Sequence, residues 1–172
     1  MLKRDGLNTF FFVYILENNF MNLTDAFDEI YNHTHMCNWG PDWEIFRKVY
    51  EAFPDSYSVL VPFAYSYLEE LIRSTTSEYG RELIDENGIL KKYRKVGVQL
   101  IDLAIKENKF SKPEFVEILA EIKSYFSKSD PTDIGDNRNS VVHGYMHPRF
   151  WDKESFENLI FDIARLSKYA GF

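Results

Sequence analysis

The sequence predicts an all-α fold in which several helices pack as one bundle. Apolar side chains recur at helical spacing along most of the 172 residues, and no segment shows a convincing two-residue alternation. Apolar residues make up 45% of the chain and aromatic residues 17%, which is enough to bury a sizeable core. There is no internal repeat and no low-complexity linker, so residues 1–172 are expected to form a single helical domain.

The overall charge is acidic, with 20 Lys and Arg against 27 Asp and Glu and a net charge of −7. Such a chain does not attract nucleic acid in general, so contact with a phosphate backbone needs a local basic patch. Cys37 stands alone, which excludes a disulfide within the chain and predicts a cytoplasmic protein. The apolar run at residues 10–16 is too short to cross a bilayer, and we expect no contact with a membrane.

The first half of the chain begins with an ambiguous segment and continues in helices. Residues 1–20 suit a buried helix or a strand, and we favour the helix. A short helix follows with Thr24 as its N-cap, and a second helix covers residues 43–53, where Pro54 interrupts it. Pro62 is expected in the first turn of the next helix. The buried face of that helix is predicted to comprise Phe63, Tyr67, Leu68, Leu71 and Ile72.

The second half of the chain predicts three further helices. The first covers residues 90–105. The second begins with a capping box of Ser111 and Glu114, over which Phe110 and Phe115 close as a hydrophobic staple. Its core face is predicted to comprise Phe115, Ile118, Leu119, Ile122 and Phe126.

The last helix follows a polar loop at residues 127–137 and has Asp152 as its expected N-cap. Its buried face is predicted to comprise Phe156, Leu159, Ile160, Ile163, Leu166 and Tyr169. We expect the N-terminal helices of residues 1–60 to pack on a core formed by residues 61–172.

One segment between the loop and the last helix combines residues suited to phosphodiester chemistry. Arg138 and His143 stand five residues apart, and Asn139 follows the arginine. A histidine can exchange a proton near neutral pH with a ribose 2′-hydroxyl or a departing 5′-oxygen. An arginine keeps its charge and can stabilise a five-coordinate phosphorus with its planar fork, while an asparagine can orient either group. On a regular helix the two side chains point about 140° apart, unless the arginine stands where the helix begins.

An arginine followed by asparagine, with histidine five residues after the arginine and ahead of the last helix, resembles the HEPN family. The resemblance implies a helical bundle that forms a homodimer, so that two motifs make one composite site. It also implies a metal-independent endoribonuclease that needs no cofactor and cuts RNA by attack of its own 2′-hydroxyl, leaving a cyclic phosphate. Arg138, Asn139 and His143 would be its catalytic residues. Such proteins serve in toxin–antitoxin, phage-defence or stress systems.

The sequence His143-Gly144-Tyr145 extends the motif. This longer pattern resembles that of HEPN toxins paired with a small nucleotidyltransferase antitoxin. The resemblance implies that Tyr145 is a regulatory site which such a partner modifies with nucleotide.

The most basic cluster of the chain lies in the first turns of the helix predicted for residues 90–105, and it consists of Lys91, Lys92, Arg94 and Lys95. These side chains could attract RNA toward the motif over a long range. The alternative is a solvated helix face without a functional role.

Two groups of residues have spacings known from metal sites: His33, His35 and Cys37, and the pair His143 and His147. The first group ends a helix and lacks a fourth ligand nearby. The second group is interrupted by Gly144 and Pro148, which argue against a regular helix. We therefore expect no metal site.

A purely structural interpretation of the motif stays open at this point. Arg138 could pair with a carboxylate while His143 packs inside the core. The candidate partners are Asp130, Asp133 and Asp136 in the preceding loop, and Glu69 or Glu70 on a helix, where an exposed face is the simpler expectation. Two functional alternatives to the nuclease follow. One is a non-catalytic module that binds nucleotide, RNA or protein through the same groove, and the other is an interaction domain that buries the motif.

Overall fold

Helices dominate the computed structural model, which describes residues 21–34, 38–90 and 93–172. Seven α-helices lie in these ranges: α1 (Leu23–His33), α2 (Gly40–Ala52), α3 (Tyr57–Ser74), α4 (Gly97–Asn108), α5 (Pro113–Ile122), α6 (Arg138–His143) and α7 (Lys153–Ser167). Short 3-10 turns occupy Pro54–Ser56, Lys123–Phe126 and Pro148–Phe150. The predicted all-α fold is confirmed, since the described ranges contain no strand. None of their helices has the length and apolar character needed to cross a bilayer.

Helix α3 is the centre of the bundle. It contacts α2, α4, α6 and α7, while α1 packs mainly against α7. The fully buried large side chains of α3 are Tyr65, Tyr67, Leu68, Leu71 and Ile72. They belong to one continuous core cluster that extends from α1 to α7. Because burial of each large apolar side chain contributes roughly 1.5–3 kcal/mol, this helix is the scaffold on which the others are placed.

Aromatic rings join the first two helices to this core. The ring centroid of Trp43 on α2 lies 4.6 Å from that of Phe46 and 5.0 Å from that of Tyr67 on α3. Phe46 in turn stacks on Phe156 of α7 with a centroid separation of 6.0 Å. Ring pairs of this kind contribute about 0.5–1.5 kcal/mol each beyond their buried area. The expected boundary between the N-terminal helices (residues 1–60) and the core (residues 61–172) falls inside α3.

Two helix starts in the first half differ from the sequence expectation, and residues 1–20 lie outside the described ranges. Helix α1 is capped by Asn22, whose Oδ1 accepts the N–H of Asp25 at 2.9 Å, so the expectation of Thr24 as N-cap is wrong. Pro62 lies inside α3 and not in its first turn, because the 3-10 turn Pro54–Ser56 leads directly into the helix. A proline has no N–H to donate, so α3 lacks one helical hydrogen bond there.

The helix expected over residues 90–105 begins only at Gly97, so the prediction is wrong for its first turns. Val96 is extended, with φ −136° and ψ 163°, and the described chain from residue 93 to that point is not helical.

A tight turn precedes this extended segment. It is formed at Asn87-Gly88, a hairpin signal that the helical interpretation overlooked. Gly88 has φ +77°, and Oδ1 of Asp85 accepts the N–H of Asn87 at 2.9 Å. An isolated antiparallel bridge joins Ile84 to Leu90 on either side. Leu90, the first residue that the helix was expected to contain, is thus part of this bridge.

Helix α5 has the predicted core face but not the predicted start. It begins at Pro113 without a side-chain cap, so the capping box of Ser111 and Glu114 is wrong. The hydrophobic staple is wrong as well, because Phe110 is 93% exposed while Phe115 is fully buried. The core face is confirmed by the burial of Phe115, Ile118, Leu119, Ile122 and Phe126.

Helix α7 agrees with the prediction at its start and along most of its length. Oδ2 of Asp152 accepts the N–H of Ser155 at 2.8 Å, which confirms the N-cap. The helix ends at Ser167, so Tyr169 lies beyond it and is only half-buried. The buried residues of the predicted face are Phe156, Leu159, Ile160, Ile163 and Leu166.

Removing the carboxylate of Asp152 should destabilise the bundle at neutral pH. We expect Asp152→Ala to lower the free energy of unfolding by about 1 kcal/mol, because the N–H of Ser155 loses its acceptor. The same backbone hydrogen bond lowers the pKa of Asp152 below its ordinary value. This stabilisation is therefore present above the unfolded-state pKa of about 3.9 and is lost as the pH falls through the lower folded-state pKa.

Urea unfolding of both proteins across the acidic range measures this effect. The difference between wild type and Asp152→Ala should shrink as the pH falls below about 4. The control is Asp152→Ser, which keeps a capping oxygen without the charge and should recover most of the stability at neutral pH. Equal stability of wild type and Asp152→Ala at neutral pH would contradict the assignment of this cap.

Candidate functional site

Helix α6 is only six residues long and is fixed at both ends. At its start, the buried Asn137 accepts the N–H groups of Asn139 and Ser140 through Oδ1, at 2.9 and 3.1 Å. At its end, Gly144 has φ +64°, and the N–H of Tyr145 donates to the carbonyl of Ser140 at 2.9 Å. This is a Schellman ending, which favours glycine at the left-handed position. Asn137 was missed in the sequence, although asparagine directly before a helix is a common N-cap.

Arg138 is the first residue of α6 and is held by a carboxylate of α3. Its Nη2 donates to Oε2 of Glu69 at 2.7 Å, and its Nη1 lies 3.3 Å from Oδ1 of Asn139. The two charged side chains are 17% and 12% exposed, respectively. The ion pair is thus largely removed from solvent, and breaking it would leave a charge in a poorly hydrated place.

The loop carboxylates do not pair with Arg138, so that structural interpretation is wrong. Asp130 accepts the hydroxyl of Thr132, which lowers the pKa of Asp130, and Asp136 accepts the N–H of Ile134. Asp133 accepts the N–H of Asp130. The three carboxylates stabilise turns within their own loop.

Glu69 contacts a second segment with its other oxygen. Its Oε1 accepts the N–H of Gly97, the first residue of α4, at 2.9 Å. One carboxylate therefore joins Arg138 of the motif to the beginning of α4. The sequence suggested either Glu69 or Glu70 for this role, and the structure assigns it to Glu69.

Asn139 uses its side chain within the protein. Its Nδ2 donates to the carbonyl of Ser127 at 2.8 Å and to that of Phe126 at 3.3 Å, while its Oδ1 faces Arg138. The side chain therefore orients the arginine and fixes α6 to the preceding turn. The sequence left open whether it would orient the arginine or the phosphate.

His143 is the last residue of α6, and its side chain is exposed. The interpretation of His143 as a core residue is therefore wrong. Within the described chain the hydrogen bonds of Arg138 go to Glu69 and Asn139, and none joins the arginine to His143. Tyr145, the next aromatic residue, is 57% exposed.

The described part of the basic cluster, Arg94 and Lys95, is not in a helix. Lys91 and Lys92 lie outside the described residues. Arg94 donates to the carbonyl of Arg81 at 3.1 Å, and Nζ of Lys95 lies 3.3 Å from Oε1 of Glu78. Lys95 is thus partly neutralised, while Arg94 keeps its charge exposed.

His33 and His147, two of the residues with metal-like spacing, contact other protein groups in the structure. Nε2 of His33 lies 3.3 Å from Oε1 of Glu29, and Nδ1 of His147 accepts the N–H of Arg149 at 3.2 Å. His35 and Cys37 lie outside the described residues. Within the described part of the chain, no group of three or more His, Cys, Asp or Glu side chains is placed to hold a metal ion.

The two longest stretches of the sequence without an acidic residue meet at this site. No Asp or Glu lies between Glu86 and Asp102, or between Asp136 and Asp152. The first stretch contains the basic cluster and the second contains the motif. Because Glu69 binds Gly97 of the first stretch and Arg138 of the second, the two are held side by side. This feature can be found in the sequence alone.

The chain matches no protein-family profile, no curated protein and no solved structure.

Neutralising Glu69 should cost stability through the ion pair. We expect Glu69→Gln to lower the free energy of unfolding by about 2 kcal/mol, less than for a fully buried pair because both side chains keep some contact with water. A double-mutant cycle with Arg138→Met should give a coupling of about 1–2 kcal/mol. Denaturant unfolding of the four proteins measures both quantities.

Glu70→Gln is the matched control for this cycle. Glu70 is the neighbouring residue on α3, is more exposed, and lies 3.5 Å from Nε of Arg73. We expect it to show no coupling to Arg138. A coupling near zero for Glu69 would overturn the assignment of the ion pair.

Proposed function

We propose that this protein is a metal-independent endoribonuclease of HEPN type. The observation that carries the proposal is the fixed position of Arg138 at the start of α6, on Glu69, with an exposed His143 at the other end of the same short helix. The resemblance of the motif to the HEPN family supports it further. The proposal includes a homodimer in which two motifs complete one site.

The contacts of Arg138 leave it suited to bind a phosphate. A guanidinium has five N–H donors, and contacts with Glu69 and Asn139 use two of them within the described chain. The side chain keeps some exposure, so a phosphate oxygen can approach the remaining donors. Glu69 and Asn139 act as positioning residues because they limit the rotamers that the guanidinium can adopt.

In the proposed reaction, His143 exchanges the proton and Arg138 stabilises charge. The imidazole removes the proton of a ribose 2′-hydroxyl, and that oxygen forms a bond to the adjacent phosphorus. The bond between phosphorus and the 5′-oxygen breaks, and the leaving oxygen takes up a proton from an imidazolium, which returns the proton removed from the 2′-hydroxyl. The products are a 2′,3′-cyclic phosphate and a 5′-hydroxyl. The guanidinium stabilises the extra negative charge on the phosphoryl oxygens in the transition state.

Replacing His143 should abolish cleavage without unfolding the bundle. We expect His143→Ala to lose at least about a hundredfold in cleavage rate, the contribution typical of a general acid or base. The measurement is incubation of purified protein with total RNA in excess chelator, followed by analysis of the fragment ends. Wild type should yield cyclic-phosphate ends.

The matched control is His33→Ala. His33 is likewise an exposed histidine at the last position of a helix, so its loss should leave cleavage unchanged. Full activity of His143→Ala with an unchanged melting temperature would refute the proposed nuclease.

A second candidate is a non-catalytic module that binds RNA. The observation that favours it is that, among the described residues, the hydrogen bonds of Arg138 go to Glu69 and Asn139 and that none joins the arginine to His143. Affinity for RNA without any product, lost in Arg138→Met and retained in His143→Ala, would select this candidate over the enzyme.

A further inference from the structure

The chain that follows His143 presents aromatic and basic side chains to solvent. After Gly144 it continues to the 3-10 turn Pro148–Phe150. Tyr145 is 57% exposed and Phe150 is 53% exposed. In this protein most large aromatic side chains belong to the core cluster or pack against it, so two exposed rings beside the motif need an explanation.

A cation lies on one of these rings. The guanidinium carbon of Arg149 is 4.5 Å from the ring centroid of Phe150, and the ring of His147 meets Phe150 edge-on at 6.4 Å. Arginine stacked on an aromatic ring extends the flat surface that the ring offers to a ligand. Within the described chain no carboxylate pairs with Arg149. Asp152, the first acid that follows it, is used as the N-cap of α7.

The surface lies close to His143 along the chain. His143 and His147 are four residues apart, a distance of at most about 14 Å for extended chain. Phe150 is held to His147 by a backbone hydrogen bond of 2.9 Å. From His143 to Phe150 the chain spans at most about 25 Å, so an RNA strand that reaches His143 can extend to this surface within a few nucleotides.

Resting on the proposed function, we propose that Arg149 and Phe150 form a platform on which an unpaired base of single-stranded RNA stacks a few residues from His143. Every base has a π-face that can stack on an aromatic ring or a guanidinium plane, and each such contact contributes substantially to binding. The stretch between Asp136 and Asp152 contributes no carboxylate that would repel a neighbouring phosphate. Bases within a duplex are stacked on each other, so the platform selects unpaired RNA.

The test compares Phe150→Ala with wild type on a short unstructured RNA and on the same strand in a duplex. We expect Phe150→Ala to raise KM for the single strand about 5- to 100-fold, the loss of one base stack, with little change in kcat. Wild type should cleave the duplex poorly. Replacing one nucleotide next to the cleavage point by an abasic one should raise KM for wild type but not for Phe150→Ala, because both changes remove the same contact.

The matched control is Phe110→Ala. Phe110 is also an exposed phenylalanine beside a cation, with Nζ of Lys109 at 5.8 Å from its ring centroid, but it lies in the turn between α4 and α5. Its loss should leave KM unchanged. Circular dichroism and melting temperature verify that the variants fold.

The outcomes separate this proposal from the proposed function. Cleavage by wild type with the same KM in Phe150→Ala overturns the platform and leaves the nuclease standing. Binding of the single strand without cleavage, weakened in Phe150→Ala, refutes the nuclease and supports the platform. A change in oligomeric state of Phe150→Ala, with unchanged affinity for RNA, overturns the platform and assigns the surface to an interface between two copies.

Discussion

The position of the motif depends on the carboxylate of Glu69. This side chain of the central helix α3 binds Arg138 of α6 with one oxygen and the N–H of Gly97 at the start of α4 with the other. Because breaking the ion pair costs about 2 kcal/mol, separation of the three segments is unfavourable. The packing of α3 in the core therefore determines where the arginine stands.

The same face of α3 and the turn after it hold the chain that precedes α4. Glu78 accepts the N–H of Lys95 at 2.9 Å, and Nη1 of Arg73 donates to the carbonyl of Lys95 at 2.8 Å. Arg73 on α3 and Glu78 in the turn after it are both buried. The two acid-free stretches of an acidic chain are thereby brought together. A phosphate backbone that approached these two stretches would meet their local charge, which differs from the net charge of −7 of the whole chain.

The sequence predicts the helices well where burial alone determines them and poorly where local hydrogen bonds do. The core faces of α5 and α7 follow from apolar spacing, and both are confirmed except for Tyr169, which lies beyond the end of α7. The sequence predicts the start of α4 at residue 90, but a turn at Asn87-Gly88 precedes it and the helix begins at Gly97. There Glu69 of the distant helix α3 accepts the N–H of Gly97, a contact that no local sequence pattern encodes. For the same reason the sequence could name two carboxylates for Arg138 but could not choose between them.

The motif divides into a fixed half and a free half, and this division bears on the proposed reaction. Arg138 is held by Glu69 and Asn139, whereas His143 projects from the other end of α6 into solvent. Five residues of a helix turn through roughly 500°, so the two side chains leave α6 in directions about 140° apart. Phosphoryl transfer needs both groups on one phosphate. In the proposed enzyme the imidazole would therefore act on a phosphate bound by the arginine of a second copy, and cleavage would depend on association of two chains.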